Sequence, residues 1–187
     1  MLFRSDPLLA IPINSLFPHQ LAKACKSANS RLIHISTDCV FSGKIGSYTE
    51  NDFCDADDLY GRSKFLGEVN YPWAITLRTS IIGHETFGSH SLIDWFMRQE
   101  GRVKGYRHAI FSGVPTVELA RVVRDYVFPN KSLCGIYHIA AKSISKYELL
   151  RLVAAEYEKD IIIDPDDELV IDRSLNANKF FLATGYK

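Results

Sequence analysis

The stretch Ser36 to Lys64 reads STDCVFSGKIGSYTENDFCDADDLYGRSK, and the run Leu32-Ile33-His34-Ile35 leads into it. That run is mostly β-branched or apolar, the pattern of a short buried strand. Ser36, Thr37 and Asp38 fall where such a strand would end. In an open parallel sheet, ligands lie outside the carboxyl ends of the strands, so hydroxyls placed there can face a substrate. Tyr60 and Lys64 stand four residues apart, which on a helix puts them on one face. A nearby ammonium favours a phenolate, and a phenol tuned in this way can give or take a proton at an alcohol or sugar oxygen near neutral pH. Thr37 can hydrogen-bond the same oxygen. A tyrosine and a lysine at helical spacing are also a common surface pair, and Ser-Thr-Asp after a strand is also a common turn or cap. The whole order favours chemistry: strand, Ser36-Thr37-Asp38-x-Val40-Phe41, a glycine-containing loop, Tyr48-Thr49-Glu50, then Tyr60-Gly61-Arg62-Ser63-Lys64 and Gly67-Glu68.

That order resembles the extended short-chain dehydrogenase/reductases, and within them the dTDP-4-dehydrorhamnose reductase branch of sugar-nucleotide enzymes. Further stretches carry the same resemblance: Ile13-Asn14-Ser15, Leu77-Arg78-Thr79-Ser80-Ile81-Ile82-Gly83, Phe111-Ser112-Gly113-Val114-Pro115-Thr116, and the tail Arg173-Ser174-Leu175-Asn176 to Lys179-Phe180. The resemblance implies an α/β fold, a partial Rossmann-like doubly wound parallel sheet with a small C-terminal substrate lobe. It implies the C-terminal half of a dinucleotide-binding Rossmann-like domain over 1–84 and a substrate-binding lobe, interleaved with remaining Rossmann elements, over 85–187. It implies NAD(P)H-dependent reduction of a 4-keto nucleotide-sugar, with NADP or NAD as cofactor. Tyr60 would be the general acid. Lys64 would bind the nicotinamide ribose and tune Tyr60. Thr37 would hold the substrate oxygen, and Ser36 is the lesser candidate for that contact and a candidate cofactor contact beside Tyr60 and Lys64. Asn14 stands where the family often has an asparagine in the helix before this strand, and a cap or loop residue is the alternative. Cys39 stands where relatives usually carry an aromatic residue. A dehydratase would have an Asp-Glu pair after the threonine, whereas Asp38 is followed here by Cys39. A non-catalytic scaffold or regulatory subunit of the same family, and an epimerase, remain as alternatives.

Family members hold the cofactor pyrophosphate on a glycine-rich turn at a helix N-terminus. None of the 11 glycines forms such a fingerprint, and Gly43-Lys44-Ile45-Gly46 lies after the catalytic strand without opening a helix. The chain starts Met1-Leu2-Phe3-Arg4-Ser5-Asp6-Pro7, which the resemblance places just before the helix preceding that strand. The expectation is that roughly the first third of a full-length relative is missing, and with it several parallel strands. The strand at Leu32 would then have an open edge. The expected partners are a nucleotide-sugar, and either a second copy in a homodimer or the missing N-terminal half.

Composition excludes other classes. With 187 residues, the chain suits one domain, or one and a small lobe. Lys and Arg number 22, as do Asp and Glu, so no electrostatic case exists for nucleic acid or an anionic membrane. The 4 cysteines are scattered without a C-x-x-C, so free thiols and a cytoplasmic setting are expected, and no metal site. No apolar run reaches the roughly 20 residues of a spanning helix.

Helices are expected over Leu8 to Ser27, with a clean start near Ser15 to Pro18, and over Asp58 to Val69, Ser91 to Gln99, Thr116 to Val127 and Ser145 to Glu158. Thr116 and Ser145 are the expected caps of the last two. Ala74 to Arg78, Ile136 to Ile139 and Ile161 to Ile163 read as strands. Val40 to Asp58 reads as a long loop of the kind that often carries function. Thr79 to His90 covers the expected substrate mouth, with His84 and His90 read as surface or hydrogen-bonding residues. Arg102, Lys104 and Arg107 can meet a diphosphate or form a solvated loop, and Asp164 to Glu168 reads as a solvated acidic turn. Asp172 to Tyr186 reads as a small capping segment.

Overall fold

The computed structural model describes residues 6–86, 88 and 91–186. Met1 to Ser5, where the expected start lies, and Ser89 and His90 of the expected mouth lie outside the described residues.

The central sheet has three parallel strands in the order β1–β2–β7: β1 Leu32–Thr37, β2 Ala74–Thr79 and β7 Gly135–His138. Ser36 lies opposite Arg78 and Thr37 opposite Thr79 in the β1–β2 register, while Arg78 also lies opposite His138 of β7. All six residues of β2 are buried, as a strand covered on both faces requires. Among the described residues β1 pairs only with β2, so its other edge is open.

Helix α1 runs over 7–27. It comprises α-helical Pro7–Ala10, a π-helical stretch Ile11–Leu16 and α-helical Phe17–Ser27. It therefore starts before the expected Ser15 to Pro18. Pro7 sits in the first turn, where its missing N–H costs nothing, and Asp6 caps it by accepting from the Leu8 amide at 2.9 Å. The π-helical stretch takes up Pro12. Helix α2, Leu59–Leu66, follows the long loop and is capped by Asp58, which accepts from the Gly61 amide at 2.7 Å. It stops at Gly67, before the expected Val69.

After β2 the chain forms β3 Ile81–Ile82, helix α3 Leu92–Met97, β4 Arg102–Tyr106, β5 Ala109–Phe111, β6 Val114–Pro115 and helix α4, which is α-helical over Thr116–Val122 and π-helical over Val123–Val127. Thr116 is its first helical residue and not the expected cap; its hydroxyl bonds the Ile82 carbonyl at 3.4 Å. Following β7 come β8 Ile144–Ser145, helix α5 Lys146–Glu156, β9 Ile162–Asp166, β10 Ile171–Asp172 and helix α6 Asn178–Thr184. Ser145 is the cap expected of it, accepting from the Glu148 amide at 3.1 Å.

Two cores result. One packs Ile75 and Leu77 of β2 against Leu119, Val122 and Val127 of α4 and Phe180 of α6. The other joins Ile93 and Phe96 of α3 to Val103 of β4 and Leu150 and Val153 of α5. The parallel pair β4–β9 sits on this second core and corrects the reading of the acidic run. Asp164 and Asp166 belong to a strand, not a turn, and Arg102 pairs with Asp164, Lys104 with Asp166 and Glu168, and Arg107 with Asp167.

Candidate active site

The carboxyl end of β1 delivers Ser36 and Thr37 beside α2. The Thr37 hydroxyl caps the 3₁₀ turn Asp38–Val40: it accepts from the Cys39 amide at 3.1 Å and donates to Asp38 Oδ1 at 3.1 Å. Both residues are buried. Burial pushes the Asp38 carboxyl up; its hydrogen bonds and the positive charges of Arg173 and Lys146 act the other way. Burial, then the neighbouring Asp38 carboxylate, raises the Cys39 thiol.

The Ser36 hydroxyl points elsewhere. It is buried and donates to Glu68 Oε1 at 2.7 Å.

Tyr60 and Lys64 lie on α2, both half-buried. Lys64 Nζ donates to the Ile35 carbonyl at 2.9 Å, which ties the helix to the carboxyl end of β1, and burial lowers its pKa. Asn14 is neither a cap nor in a loop. It lies inside the π-helical stretch of α1 and donates from Nδ2 to Ser63 Oγ at 3.2 Å, while Ser15 Oγ donates to the Ser63 carbonyl at 2.9 Å.

Glycine lets main chain approach α2 closely. A Cβ on Gly61 would strike the Cys39 carbonyl oxygen, and one on Gly67 would strike the Asn14 carbonyl oxygen. Main chain therefore meets main chain at both ends of the helix.

Beneath the site lies a polar cluster. Arg78 donates from Nε to Glu68 Oε1 at 2.8 Å and from Nη2 to Glu68 Oε2 at 2.7 Å, and both side chains are 2% exposed. Arg78 Nη2 also reaches Cys54 Sγ at 3.2 Å, and Nη1 reaches His138 Nε2 at 3.3 Å. His138 Nδ1 faces the Tyr48 carbonyl at 3.0 Å, which only accepts, and Nε2 faces Arg78, which only donates, so the imidazole is neutral with its proton on Nδ1. Burial, then the Arg78 charge, pulls His138 down to about 3. Burial pushes the Cys54 thiol up to about 11. Although burial opposes it, Glu68 holds the Arg78 pKa above its ordinary value. The readable signal for this cluster was a lone arginine in the otherwise buried strand AITLRT, where an ion is expected only if paired.

This cluster makes stability pH-dependent. Between pH 3 and 6.5 the unfolded chain protonates His138 and the folded chain does not, so stability falls as pH drops from 6.5 toward 3. His34, pulled down to about 4 mainly by burial, adds in the same sense, whereas Asp38 opposes. Urea midpoints measured from pH 7 to pH 4 should fall less steeply for His138→Gln than for wild type.

His84 bonds Asp94 Oδ1 at 2.7 Å and the Tyr157 hydroxyl at 2.8 Å, joining the segment after β3 to α3 and the end of α5. It is a surface hydrogen-bonding histidine. With Arg102, Lys104 and Arg107 paired, Lys146 and Arg173 are positive charges that the Thr37–Cys39 segment feels: Arg173 Nη1 reaches Cys39 Sγ at 3.6 Å, and Lys146 Nζ stands 4.1 Å from the Phe111 ring centre.

For a dinucleotide, the residues fit one end. Tyr60 and Lys64 flank the carboxyl end of β1, where a nicotinamide ribose would lie. A pyrophosphate needs a glycine turn opening a helix, and among the described residues no helix begins so. Gly43 and Gly46 have positive φ, but a Cβ on either would strike the side chains of Ile171 and Asp172, so this turn packs on β10. No group of three or more His, Cys, Asp or Glu among the described residues could hold a metal, and none of their helices is long and apolar enough to cross a membrane.

The family model described as the RmlD substrate binding domain matches residues 4–168. A dTDP-4-dehydrorhamnose reductase of Mycobacterium tuberculosis is 36% identical over 85 residues, 41% of this chain and 28% of that protein. Methionine adenosyltransferase 2 subunit beta of Danio rerio is 35% identical over 150 residues, 73% of this chain and 46% of that protein. The chain thus spans less than half the length of either curated relative. The crystal structure of dTDP-4-dehydrorhamnose reductase from Bacillus anthracis in complex with NADP superposes with a TM-score of 0.76 at 23% identity, covering 89% of this chain and 61% of that one.

Proposed function

We propose that this chain, which belongs to the RmlD substrate binding domain family, carries the proton-transfer and sugar-binding part of an NAD(P)H-dependent reductase of 4-keto nucleotide-sugars. The observation that carries the reading is the seating of α2, which bears Tyr60 and Lys64, beside the carboxyl end of β1, with Lys64 hydrogen-bonded to the Ile35 carbonyl and the Gly61 backbone against Cys39. The matched reductases are its external support.

A nicotinamide held beside Lys64 would supply hydride for the carbonyl carbon. Tyr60 gives its phenolic proton to the carbonyl oxygen. Thr37 holds that oxygen once its hydroxyl turns off Asp38. One Lys64 N–H stays on the Ile35 carbonyl, and the others are free to orient the nicotinamide ribose and the Tyr60 oxygen. We assign the diphosphate of the sugar-nucleotide to Lys146 and Arg173, from the lobe that packs over Asp38 and Cys39.

The pyrophosphate end of the cofactor requires a glycine turn that this sequence does not contain. The open edge of β1 is where a further parallel strand carrying that turn would pair. A second reading, a non-catalytic subunit keeping the scaffold, is favoured by the match to methionine adenosyltransferase 2 subunit beta.

Titration of the purified chain with NADPH and NADH, followed by nicotinamide fluorescence, separates the two. Saturable binding that weakens at least about tenfold in the Tyr60→Phe/Lys64→Ala double variant is the expected result. No binding at millimolar cofactor would overturn autonomous reduction and leave the subunit reading.

A further inference from the structure

Helix α2 carries Tyr60 and Lys64, yet apolar packing does little to fix its position. Its buried residues are Gly61 and Ser63, while Phe65 and Leu66 are exposed. The helix is located instead by polar and main-chain contacts. Asp58 and the Gly61–Cys39 approach hold its start, Ser63 and Lys64 its middle, and Gly67 with Glu68 its end.

Glu68 reaches furthest of these. Its two oxygens take three hydrogen bonds, from Ser36 at the end of β1 and twice from Arg78 near the end of β2. Arg78 passes the connection to His138 at the end of β7 and to Cys54 in the long loop. His138 then holds that loop twice: its ring faces the Tyr48 carbonyl at 3.0 Å, and its amide donates to Glu50 Oε1 at 2.8 Å. One buried carboxylate thereby ties the catalytic helix to three neighbouring strand ends and to the loop over the site. A buried ion pair is a weak source of net stability compared with apolar side chains of the same volume, and its best-attested use is to fix register.

We propose that the Glu68–Arg78 pair is a positioning device for the active site, which sets where α2 sits relative to the end of β1 and the 41–58 loop. Neither residue touches substrate; they act through Tyr60, Lys64 and Thr37, so the functional side of the inference rests on the reductase reading. Ser36 belongs to the same device, as a donor to Glu68.

The test is amide hydrogen exchange on the full chain, comparing wild type, Glu68→Gln and Ser36→Ala. In Glu68→Gln, exchange in α2 and in residues 48–56 should accelerate by about tenfold or more while β2 keeps its protection, because β2 is held on both edges by its ladders to β1 and β7, whereas α2 and the loop are linked to it through the Glu68–Arg78 pair. Ser36→Ala should give the same pattern, weaker, and decides alone if Glu68→Gln does not fold. Uniform acceleration along the chain, or none in α2, overturns the proposal. Titration with reduced nicotinamide mononucleotide, which needs no pyrophosphate turn, is read in parallel. Binding by wild type that falls in Glu68→Gln supports both readings. An α2-specific exchange response without nucleotide binding by wild type supports the positioning role and sinks the reductase reading.

Discussion

Arg78→Met should lower the unfolding free energy by about 3–5 kcal/mol, the range found when one partner of a buried ion pair is removed. Both side chains are 2% exposed, so water cannot take over the role of the guanidinium. Methionine fills much of the same volume and keeps contact with the Phe41 ring, which lies 5.2 Å from the Arg78 guanidinium carbon. It leaves the Glu68 carboxylate buried with Ser36 as its remaining donor from this cluster. The His138 Nε2 and Cys54 Sγ atoms lose their partner as well. Against a typical domain stability of about 5–15 kcal/mol, a loss of this size is severe, and urea melts at neutral pH and low temperature would measure it. The Arg78→Met/Glu68→Leu double variant should recover most of the loss, because no unpaired charge then remains. If the single variant melted like wild type, the Glu68 carboxylate would have to be reached by water in the fold.

Gly67→Ala should cost about 3 kcal/mol and displace α2. The backbone at Gly67 has φ −92° and ψ −1°, which any residue adopts, so the argument is purely one of space. An added Cβ would overlap the Asn14 carbonyl oxygen and stand 2.9 Å from its carbon, and neither atom can swing aside as a side chain can. Relief requires α1 and α2 to separate, which also breaks the Asn14 and Ser15 bonds to Ser63. Nicotinamide binding should therefore fall together with the melting temperature. Gly101→Ala is the contrasting case. Its φ of +67° disfavours a side chain, but nothing lies within 4 Å of the new methyl, so a loss of about 1 kcal/mol and unchanged binding are expected. Equal losses at the two positions would mean that the α1–α2 contact is softer than its geometry implies.

Local pattern made much of this legible. The run into Ser36 is a strand, the Asp58 cap opens the helix bearing Tyr60 and Lys64, and Ser145 caps α5, each signalled by residues within one turn of the feature. Partnerships across the chain were not legible. Ser36 reads as a free hydroxyl until Glu68, 32 residues away, is folded against it. Arg102, Lys104 and Arg107 read as available cations until the parallel pairing of β4 with β9 lines them up with Asp164, Asp166 and Asp167. Pro12 argues against a helix because its missing N–H leaves a gap in the ladder and its ring crowds the preceding turn, yet the chain runs through it as a π-helical stretch, which no propensity rule anticipates.

The order of strands in the central sheet has a consequence for synthesis. β7 completes the sheet beside β2, but the chain makes α3, β4, β5 and α4 between them. At about 5–20 residues per second, a ribosome takes several seconds to cover that interval. Throughout it, β1 and β2 exist without the strand that flanks them, and Ile75 and Leu77 lack the α4 and α6 side chains that finally cover them. Until β7 is made, the β2 edge of that pair is bare, and a bare strand edge binds other strands as readily as its own. Yield in the cell will therefore depend on translation speed and on chaperones that shield this intermediate.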